Sequence, residues 1–321
     1  MGEFIGIRFG RVPQNTDSVK WEYRPHTEFD GIGGLVDILR KSGEQITELP
    51  KITHPASTNV IRTGLISCQP ILPRKKLFWS QDFIDRAAPD SKQCDADRPA
   101  SCVAWHVFSE QETREIVRYA RLIDVTVNTV LIRLLDKAIR PDLRAKTANI
   151  PWMIPVNLRG RVDPVADTGN CSSAVMIHTH PRYRFEHTHA HIYNKLQRGE
   201  HLSVWRLYGL TKNLPHKVKA ELIDKDRAMP QWNIGSFSNL GVWDQEKRYE
   251  DRGDLIFMPP TLRCQWIGAG CVTYQRKLSL AIQLHPDIAT KPAVAQTWMQ
   301  RWVKEITISL PQTNGLENDD K

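Results

Sequence analysis

A strand that leads into a glycine-rich helix start constrains the fold of this chain more than any other stretch. Val19, Trp21 and Tyr23 alternate with polar residues, which predicts a strand with one apolar and one polar face. Three glycines then predict a tight turn into a helix over residues 35–40, namely Gly31, Gly33 and Gly34. His26 is therefore expected at a strand end, on the polar side, where an imidazole can face a cleft.

The rest of the chain predicts a mixed arrangement of strands and helices. With 321 residues, 40% of them hydrophobic and 25% charged, it can bury a sizeable core. The segments follow no strict βαβ alternation and no fixed repeat, so the fold class is α+β (α/β), a sheet with helices packed on it. Residues 150–159 predict a strand, and their prolines suit the edge of a sheet.

Two helix starts are marked by side chains that can cap them. Ser109 followed by Glu112 predicts a capping box, in which the hydroxyl and the carboxylate each satisfy a backbone N–H of the other residue. Thr126 is expected to open a second helix, which continues until Pro141. These two signals predict adjacent helices after a strand at residues 101–108.

The net charge and the cysteines limit which partners and which cellular compartment can be expected. A net charge of +8 leaves two alternatives, an anionic partner such as a phosphorylated cofactor or an acidic carrier protein, or a basic surface that is merely solvated. Scattered basic residues argue against nucleic acid as a partner.

The sequence shows no apolar run long enough for a membrane span and no signal peptide. Six cysteines without a C-x-x-C pair predict free thiols in a reducing compartment, hence a cytoplasmic protein.

His26 is the candidate with the clearest chemistry. A histidine has an unperturbed pKa of about 6.5, so it can accept a proton at neutral pH, as a general base must. Asp30, four residues later, can orient either the imidazole or a basic side chain elsewhere in the chain. On these residues alone, an ordinary turn with a surface histidine remains an open alternative.

These residues also resemble a known family. His26-x-x-x-Asp30-Gly31, between a strand and a helix, resembles the HxxxDG active-site motif of the CoA-dependent acyltransferase superfamily. That superfamily includes chloramphenicol acetyltransferase, the condensation domains of peptide synthetases, the BAHD acyltransferases and the alcohol acetyltransferases. Further stretches resemble family segments in the same order, at residues 125–131, at 154–159 with Gly169-Asn170, and at 238–241.

The resemblance implies a chloramphenicol-acetyltransferase-like fold of two sheet-and-helix lobes with a channel between them. Only 25 residues precede His26, where family members have most of a lobe. The resemblance therefore implies a partial first half and a complete second half. The expected bounds are 1–86 for a remnant of the N-terminal lobe that carries the motif, 87–100 for a linker, 101–310 for the C-terminal lobe and 311–321 for a disordered tail.

The resemblance also implies a mechanism and a set of site residues. His26 acts as general base on an alcohol or amine, which attacks the thioester of acyl-CoA or of an acyl carrier protein. Acyl-CoA is then a co-substrate, and no tightly bound cofactor is expected. Orienting roles fall to Asp30, Gly31 and Arg159, with an ion pair expected between Asp30 and Arg159. Candidates to line the substrate channel are Asn170, Ser238, Asn239, Gly241 and Trp243. The oxyanion is expected to be met by Asn239 and the backbone of residues 238–241.

Three alternatives accompany this interpretation. The chain can be a truncated, non-catalytic homologue that acts as a binding or interaction protein. Two histidine clusters could hold zinc, but they lack ligands at a familiar spacing, so a polar surface patch and no metal are predicted. Trp232 and Trp243 could line an apolar pocket or simply pack in the core. The histidines are His178, His180, His187, His189 and His191.

Overall fold

The structure is a computed structural model, and it describes residues 6–13, 18–51, 78–87, 102–162, 166–202, 215, 218, 233–244, 253–261, 265–286, 288–289 and 291–311. Within these ranges the chain forms two β-sheets with helices packed against them, so the predicted mixed fold class is confirmed. None of the helices in these ranges is both long and apolar enough to cross a membrane.

The helices and strands alternate irregularly along the chain. The strands are β1 (Gly6–Val12), β2 (Lys20–Pro25), β3 (Val103–Val107), β4 (Ile150–Asn157), β5 (Ser172–Thr179), β6 (Gly235–Trp243), β7 (Asp254–Met258), β8 (Ile267–Tyr274) and β9 (Lys277–Leu284). The helices are α1 (Gly31–Lys41), α2 (Gln81–Ala87), α3 (Glu110–Leu122), α4 (Val127–Ile139), α5 (Phe185–Gln197) and α6 (Pro292–Ser309).

The larger sheet has six strands in the order β3-β9-β8-β6-β4-β5, and β6 pairs in parallel with both β8 and β4. The smaller sheet is antiparallel, in the order β2-β1-β7. Its third strand, β7, comes from the C-terminal part of the chain, so segments on both sides of the predicted linker share one sheet. The domain bounds stay a prediction, because residues 88–100 of that linker and 312–321 of the predicted tail lie outside the described residues.

Alternate residues of the larger sheet enter different apolar clusters. On one face the helices α3, α4 and α6 pack over the strands, and the fully buried indoles of Trp152, Trp298 and Trp302 lie there. On the other face a smaller cluster joins β1, α1, β6 and β7. This second cluster fixes α1, and with it the end of β2, against the larger sheet.

Both predicted caps are present. Ser109 and Glu112 form the full capping box of α3, and the Thr126 hydroxyl caps α4 by accepting a hydrogen bond from the Thr129 backbone N–H. Each satisfies a backbone donor that the first helical turn leaves without an intrahelical partner.

The prediction that β4 is an edge strand is wrong, because β4 lies between β5 and β6. The Pro151 carbonyl accepts a hydrogen bond from the Ile234 N–H, so the position of its missing N–H also faces β6. Pairing between β4 and β6 is confined to Trp152 and Met153. Few donors are therefore needed on this side of β4, and its prolines are tolerated inside the sheet.

Candidate active site

His26 lies in the turn that follows β2, and its side chain is half-buried. The backbone N–H groups of Glu28 and Phe29 close the turn by donating to the Pro25 carbonyl, at 3.1 and 3.0 Å. The imidazole Nδ1 lies 2.9 Å from the Phe29 carbonyl oxygen. Because a carbonyl oxygen can only accept, Nδ1 carries the proton and Nε2 carries the lone pair of the neutral ring. The turn thus holds His26 in the tautomer that can act as a base through Nε2.

Asp30 and Arg159 form the ion pair that the family resemblance implies. Arg159 Nη1 donates to Asp30 Oδ2 at 2.7 Å and Nη2 donates to Oδ1 at 3.2 Å. The backbone N–H groups of Gly33 and Cys171 also donate to this carboxylate, each at 2.7 Å. Asp30 is only 3% exposed and Arg159 only 4%. A buried carboxylate with four hydrogen bonds is well compensated, and it anchors both the start of α1 and the loop before β5.

The remaining N–H groups of Arg159 bind that same loop. Nε donates to the Asp167 carbonyl at 3.0 Å, and Nη2 donates to the Gly169 carbonyl at 2.7 Å. Nη1 also donates to Asn157 Oδ1 at 3.2 Å, at the end of β4. Every N–H of the guanidinium therefore has an acceptor. The planar five-donor fork of arginine suits this arrangement, and the ammonium group of a lysine could not reproduce it.

The predicted glycine turn before α1 is wrong, because the helix already begins at Gly31 with Asp30 as its N-cap. None of Gly31, Gly33 and Gly34 has a positive φ. Their small size is used for packing instead. A Cβ added to Gly33 would lie 1.8 Å from the Thr168 carbonyl oxygen, and one added to Gly31 would lie 2.6 Å from a Leu240 methyl. The glycines thus let α1 approach both the loop before β5 and strand β6.

Asn170 is brought directly against the turn that carries His26. Its side-chain Nδ2 donates to the His26 carbonyl at 2.8 Å, and its backbone N–H donates to the Glu28 carbonyl at 2.9 Å. Phe29 and Gly169 form an antiparallel β-bridge beside these bonds. Asn170 therefore contacts the backbone of the site, and its predicted place in a substrate channel stays a prediction.

The predicted channel residues of β6 divide between two environments. Asn239 and Gly241 are exposed at a bulge in the pairing with β8, where Asn239 Oδ1 accepts from the Gly241 N–H at 2.8 Å. Ser238 is buried. Trp243 is packed in the apolar cluster around α1, and its indole N–H donates to the Leu240 carbonyl at 2.9 Å. Of the two alternatives for Trp243 the structure therefore shows core packing, whereas Trp232 lies outside the described residues.

Several residues of the site carry no motif of their own in the sequence. The Phe29 carbonyl, the Thr168 carbonyl and the Cys171 N–H act through the backbone, so their side chains give no signal. Asn157 is different, because it precedes Arg159 in the stretch that resembles the family segment. Its side-chain Oδ1 also accepts from the Arg159 backbone N–H, at 3.1 Å.

The histidines of β5 and α5 are engaged in contacts of other kinds. The rings of His178 and His191 lie parallel with centroids 6.3 Å apart, and partial burial, then the nearby Lys195, lowers the pKa of His191. His180 Nδ1 accepts the Arg182 N–H at 3.1 Å. Among the described residues no three metal-ligating side chains converge. The absence of a metal from the protein stays a prediction.

No family model and no curated protein matches the sequence, but the fold matches solved structures. A trichothecene 15-O-acetyltransferase from Fusarium sporotrichioides has a TM-score of 0.58 at 11% identity, covering 88% of this chain and 65% of that chain. The cyclization-docking bidomain of the EpoB synthetase from Sorangium cellulosum has a TM-score of 0.55 at 13% identity, covering 96% and 63%. A nonribosomal peptide synthetase has a TM-score of 0.50 at 13% identity, covering 90% and 30%.

These likenesses concern the fold. The chain spans less than two thirds of the length of each of these three structures. At such low identity, the shared feature is a mixed sheet-and-helix architecture that occurs in an acetyltransferase and in peptide synthetases. The likeness therefore shows the fold alone, and the substrates of those proteins remain their own.

Proposed function

We propose that this protein transfers an acyl group from acyl-CoA, or from an acyl carrier protein, to an alcohol or amine, with His26 as general base. The observation that carries the proposal is the hydrogen bond from His26 Nδ1 to the Phe29 carbonyl. It leaves the lone pair on Nε2, which is what a base needs at neutral pH. The fold shared with an acetyltransferase supports the same class of reaction.

The proposed reaction needs one proton acceptor that later becomes a donor. As the acceptor oxygen or nitrogen attacks the thioester carbonyl carbon, its proton passes to His26 Nε2, and the carbonyl oxygen becomes an oxyanion. The positive imidazole keeps its Nδ1–H on the Phe29 carbonyl. When the tetrahedral adduct collapses, the carbon–sulfur bond breaks and the leaving thiolate takes the proton from Nε2. Asn239 and the backbone of residues 238–241 are the proposed donors to the oxyanion.

In this proposal Asp30 acts on the scaffold and not on the imidazole. Its carboxylate already accepts four hydrogen bonds, two of them from Arg159. These bonds hold α1 and the loop before β5 against each other, directly after the turn of His26. Asp30 and Arg159 are therefore proposed as orienting residues, and Gly31 as the residue whose small size admits Leu240.

The donor and the acceptor are tested together. The protein is incubated with acetyl-CoA, decanoyl-CoA or a carrier protein loaded with the same acyl groups, and with 1-butanol or butylamine. Mass spectrometry then detects the ester or amide. We expect product from at least one combination and far less of it from His26→Ala. If the wild type forms no more product than His26→Ala in any combination, the transferase proposal is wrong.

The runner-up is a non-catalytic homologue that binds a ligand or partner. A titration with a non-hydrolysable acyl-CoA thioether separates the two. Binding of the thioether without turnover of any donor would support the runner-up. Binding together with turnover that depends on His26 would exclude it.

A cytoplasmic location is proposed from the cysteines. Among the described residues Cys102, Cys171 and Cys271 are buried and are not joined in disulfides, and burial raises the pKa of Cys102 to about 11. Cysteines that are not joined in disulfides suit a reducing compartment, where disulfides are rare. Cell fractionation with an antibody to the protein tests the location, and recovery in a secreted or membrane fraction would contradict it.

A further inference from the structure

The side chain of Asn170, in the loop before β5, donates a hydrogen bond to the turn of His26. We propose that Asn170 is a positioning residue for His26, which fixes the imidazole through the backbone and does not touch the substrate. This inference rests on the proposed function, because it assigns Asn170 a task in the same reaction. It also replaces the expectation that Asn170 lines the substrate channel.

The orientation of the Asn170 amide is determined by its partners. The Ser172 backbone N–H, which can only donate, lies 3.3 Å from Asn170 Oδ1, and the Ser172 hydroxyl lies 2.9 Å from the same atom. The His26 carbonyl oxygen, which can only accept, lies 2.8 Å from Nδ2. The oxygen therefore faces β5 and the NH₂ group faces His26. The side chain links the rigid start of β5 to the turn.

Asn170 also forms a second hydrogen bond to the turn. Its backbone N–H donates to the Glu28 carbonyl at 2.9 Å, two residues beyond His26. The next residue, Phe29, bridges to Gly169 and supplies the carbonyl that accepts the imidazole Nδ1–H. Asn170 thus holds the backbone of His26. The loop that contains Asn170 holds the Phe29 carbonyl, which accepts from the imidazole and sets its tautomer.

The chemistry of the site calls for an amide at position 170. An aspartate would keep an oxygen toward Ser172, but it would place a second oxygen at the 2.8 Å separation from the His26 carbonyl. Two acceptors at that distance repel each other, so the turn must shift. An alanine would remove the link without adding repulsion. Either change removes the side-chain hydrogen bond that holds the turn. We expect the hydrogen bond from His26 Nδ1 to the Phe29 carbonyl, which selects the tautomer, then to be lost or weakened.

The side-chain ¹⁵N signals of His26 test this inference without any substrate. They are assigned by their loss in His26→Ala. We expect the wild type to show a protonated Nδ1 and an unprotonated Nε2 at neutral pH. In Asn170→Asp and Asn170→Ala we expect this pattern to change to an average of the two tautomers. Asn194→Asp makes the same chemical change at an exposed position of α5 and should keep the wild-type pattern.

Kinetics provide the second readout, with whichever donor and acceptor give turnover. Because a displacement of about 1 Å can cost roughly 100-fold in rate, we expect kcat to fall by roughly 100-fold in Asn170→Asp while KM for the donor stays unchanged. A channel residue would instead raise KM. Circular dichroism confirms that each variant is folded, and Asn170→Ala serves if Asn170→Asp does not fold.

The outcomes separate this inference from the proposed function. If both variants keep the wild-type ¹⁵N pattern and kcat, Asn170 does not position His26, even where turnover depends on His26. If the tautomer changes in the variants but neither wild type nor variants transfer an acyl group, the positioning stands and the proposed function fails. A rise in KM with an unchanged tautomer would return Asn170 to the substrate channel and overturn the inference.

Discussion

Arg159 and Asp30, 129 positions apart in the chain, form a two-pronged buried ion pair whose shorter contact is 2.7 Å. The guanidinium uses its three remaining N–H groups on the loop before β5 and on Asn157. The pair therefore joins the end of β4, the start of α1 and the loop that holds His26. We expect the pair to fix the relative positions of these three segments.

Loss of the arginine should destabilise the fold strongly. In Arg159→Met the Asp30 carboxylate stays buried without its cation, and such a loss costs about 3–5 kcal/mol in the free energy of unfolding. Urea denaturation measures it. The matched control is Arg184→Met, which breaks the exposed pair between Arg184 and Glu186 and should cost about 0–1 kcal/mol. Equal small losses in both variants would show that the buried pair does not hold the site.

A methyl group at residue 33 should separate α1 from the loop before β5. The added Cβ of Gly33→Ala would fall 1.8 Å from the Thr168 carbonyl oxygen, so the backbone must move. Overpacking of this kind costs about 1–3 kcal/mol, and we expect shifted amide signals at residues 168–171 as well. Gly241→Ala is the control, because its positive φ of 85° adds strain but its Cβ meets no atom within 4 Å. Unmoved signals at 168–171 in Gly33→Ala would contradict the proposed close contact.

The capping box of α3 should make stability depend on pH. Hydrogen bonds from the Ser109 hydroxyl and backbone N–H lower the pKa of Glu112. Its contribution to stability is therefore complete above the usual glutamate pKa of about 4.3 and is lost as the pH falls through the lowered value. We expect Ser109→Ala to cost about 1 kcal/mol at pH 7 and less at acid pH.

Ser80→Ala is the control for this pH dependence. Ser80 caps α2 by accepting from the Phe83 backbone N–H, a bond in which no carboxylate takes part, so its loss should cost a similar amount at every pH. Denaturation of the wild type and both variants between pH 3 and pH 7 gives the comparison. A Ser109→Ala cost that does not change with pH would mean that Glu112 adds nothing to the cap.

The histidines of β5 and α5 should not hold a metal. His180 Nδ1 accepts the Arg182 N–H, and His189 Nδ1 lies 3.3 Å from the Thr129 hydroxyl, so two of the candidate ligand atoms already have partners. We expect elemental analysis of the purified protein to find no stoichiometric zinc, and a chelator to leave the Tm unchanged. Zinc at one atom per chain, with a Tm that falls on chelation, would contradict this expectation.

The predictable part of the site follows from side chains with distinctive chemistry. His26 at a strand end and Asp30 before a helix could be anticipated from the local sequence, and the pairing of Asp30 with Arg159 from the family resemblance. The role of the glycines could not be anticipated. The sequence shows that glycines have conformational freedom, but it does not show which neighbours need their small volume. Gly33 is required by Thr168, 135 positions later, and no local pattern reports that contact.

The topology was predictable only in part, for a similar reason. Periodicity located β2, α3 and α4, since each depends on local alternation or caps. The place of β4 inside the sheet depends on a two-residue pairing with β6, which is distant in sequence. The burial of Trp243 likewise depends on α1 and β1 packing over β6. Tertiary contacts, and not local propensity, decided these features.

The most direct test of the central claim is the rate of acyl transfer by wild type, His26→Ala and His187→Ala at pH 7, with a donor and an acceptor that the wild type uses. His187 is an exposed histidine of α5, so it controls for the loss of an imidazole elsewhere. A general base contributes about 10²- to 10⁴-fold, so we expect kcat to fall by that factor in His26→Ala and to remain unchanged in His187→Ala. An unchanged kcat in folded His26→Ala would contradict the assignment of His26 as the base.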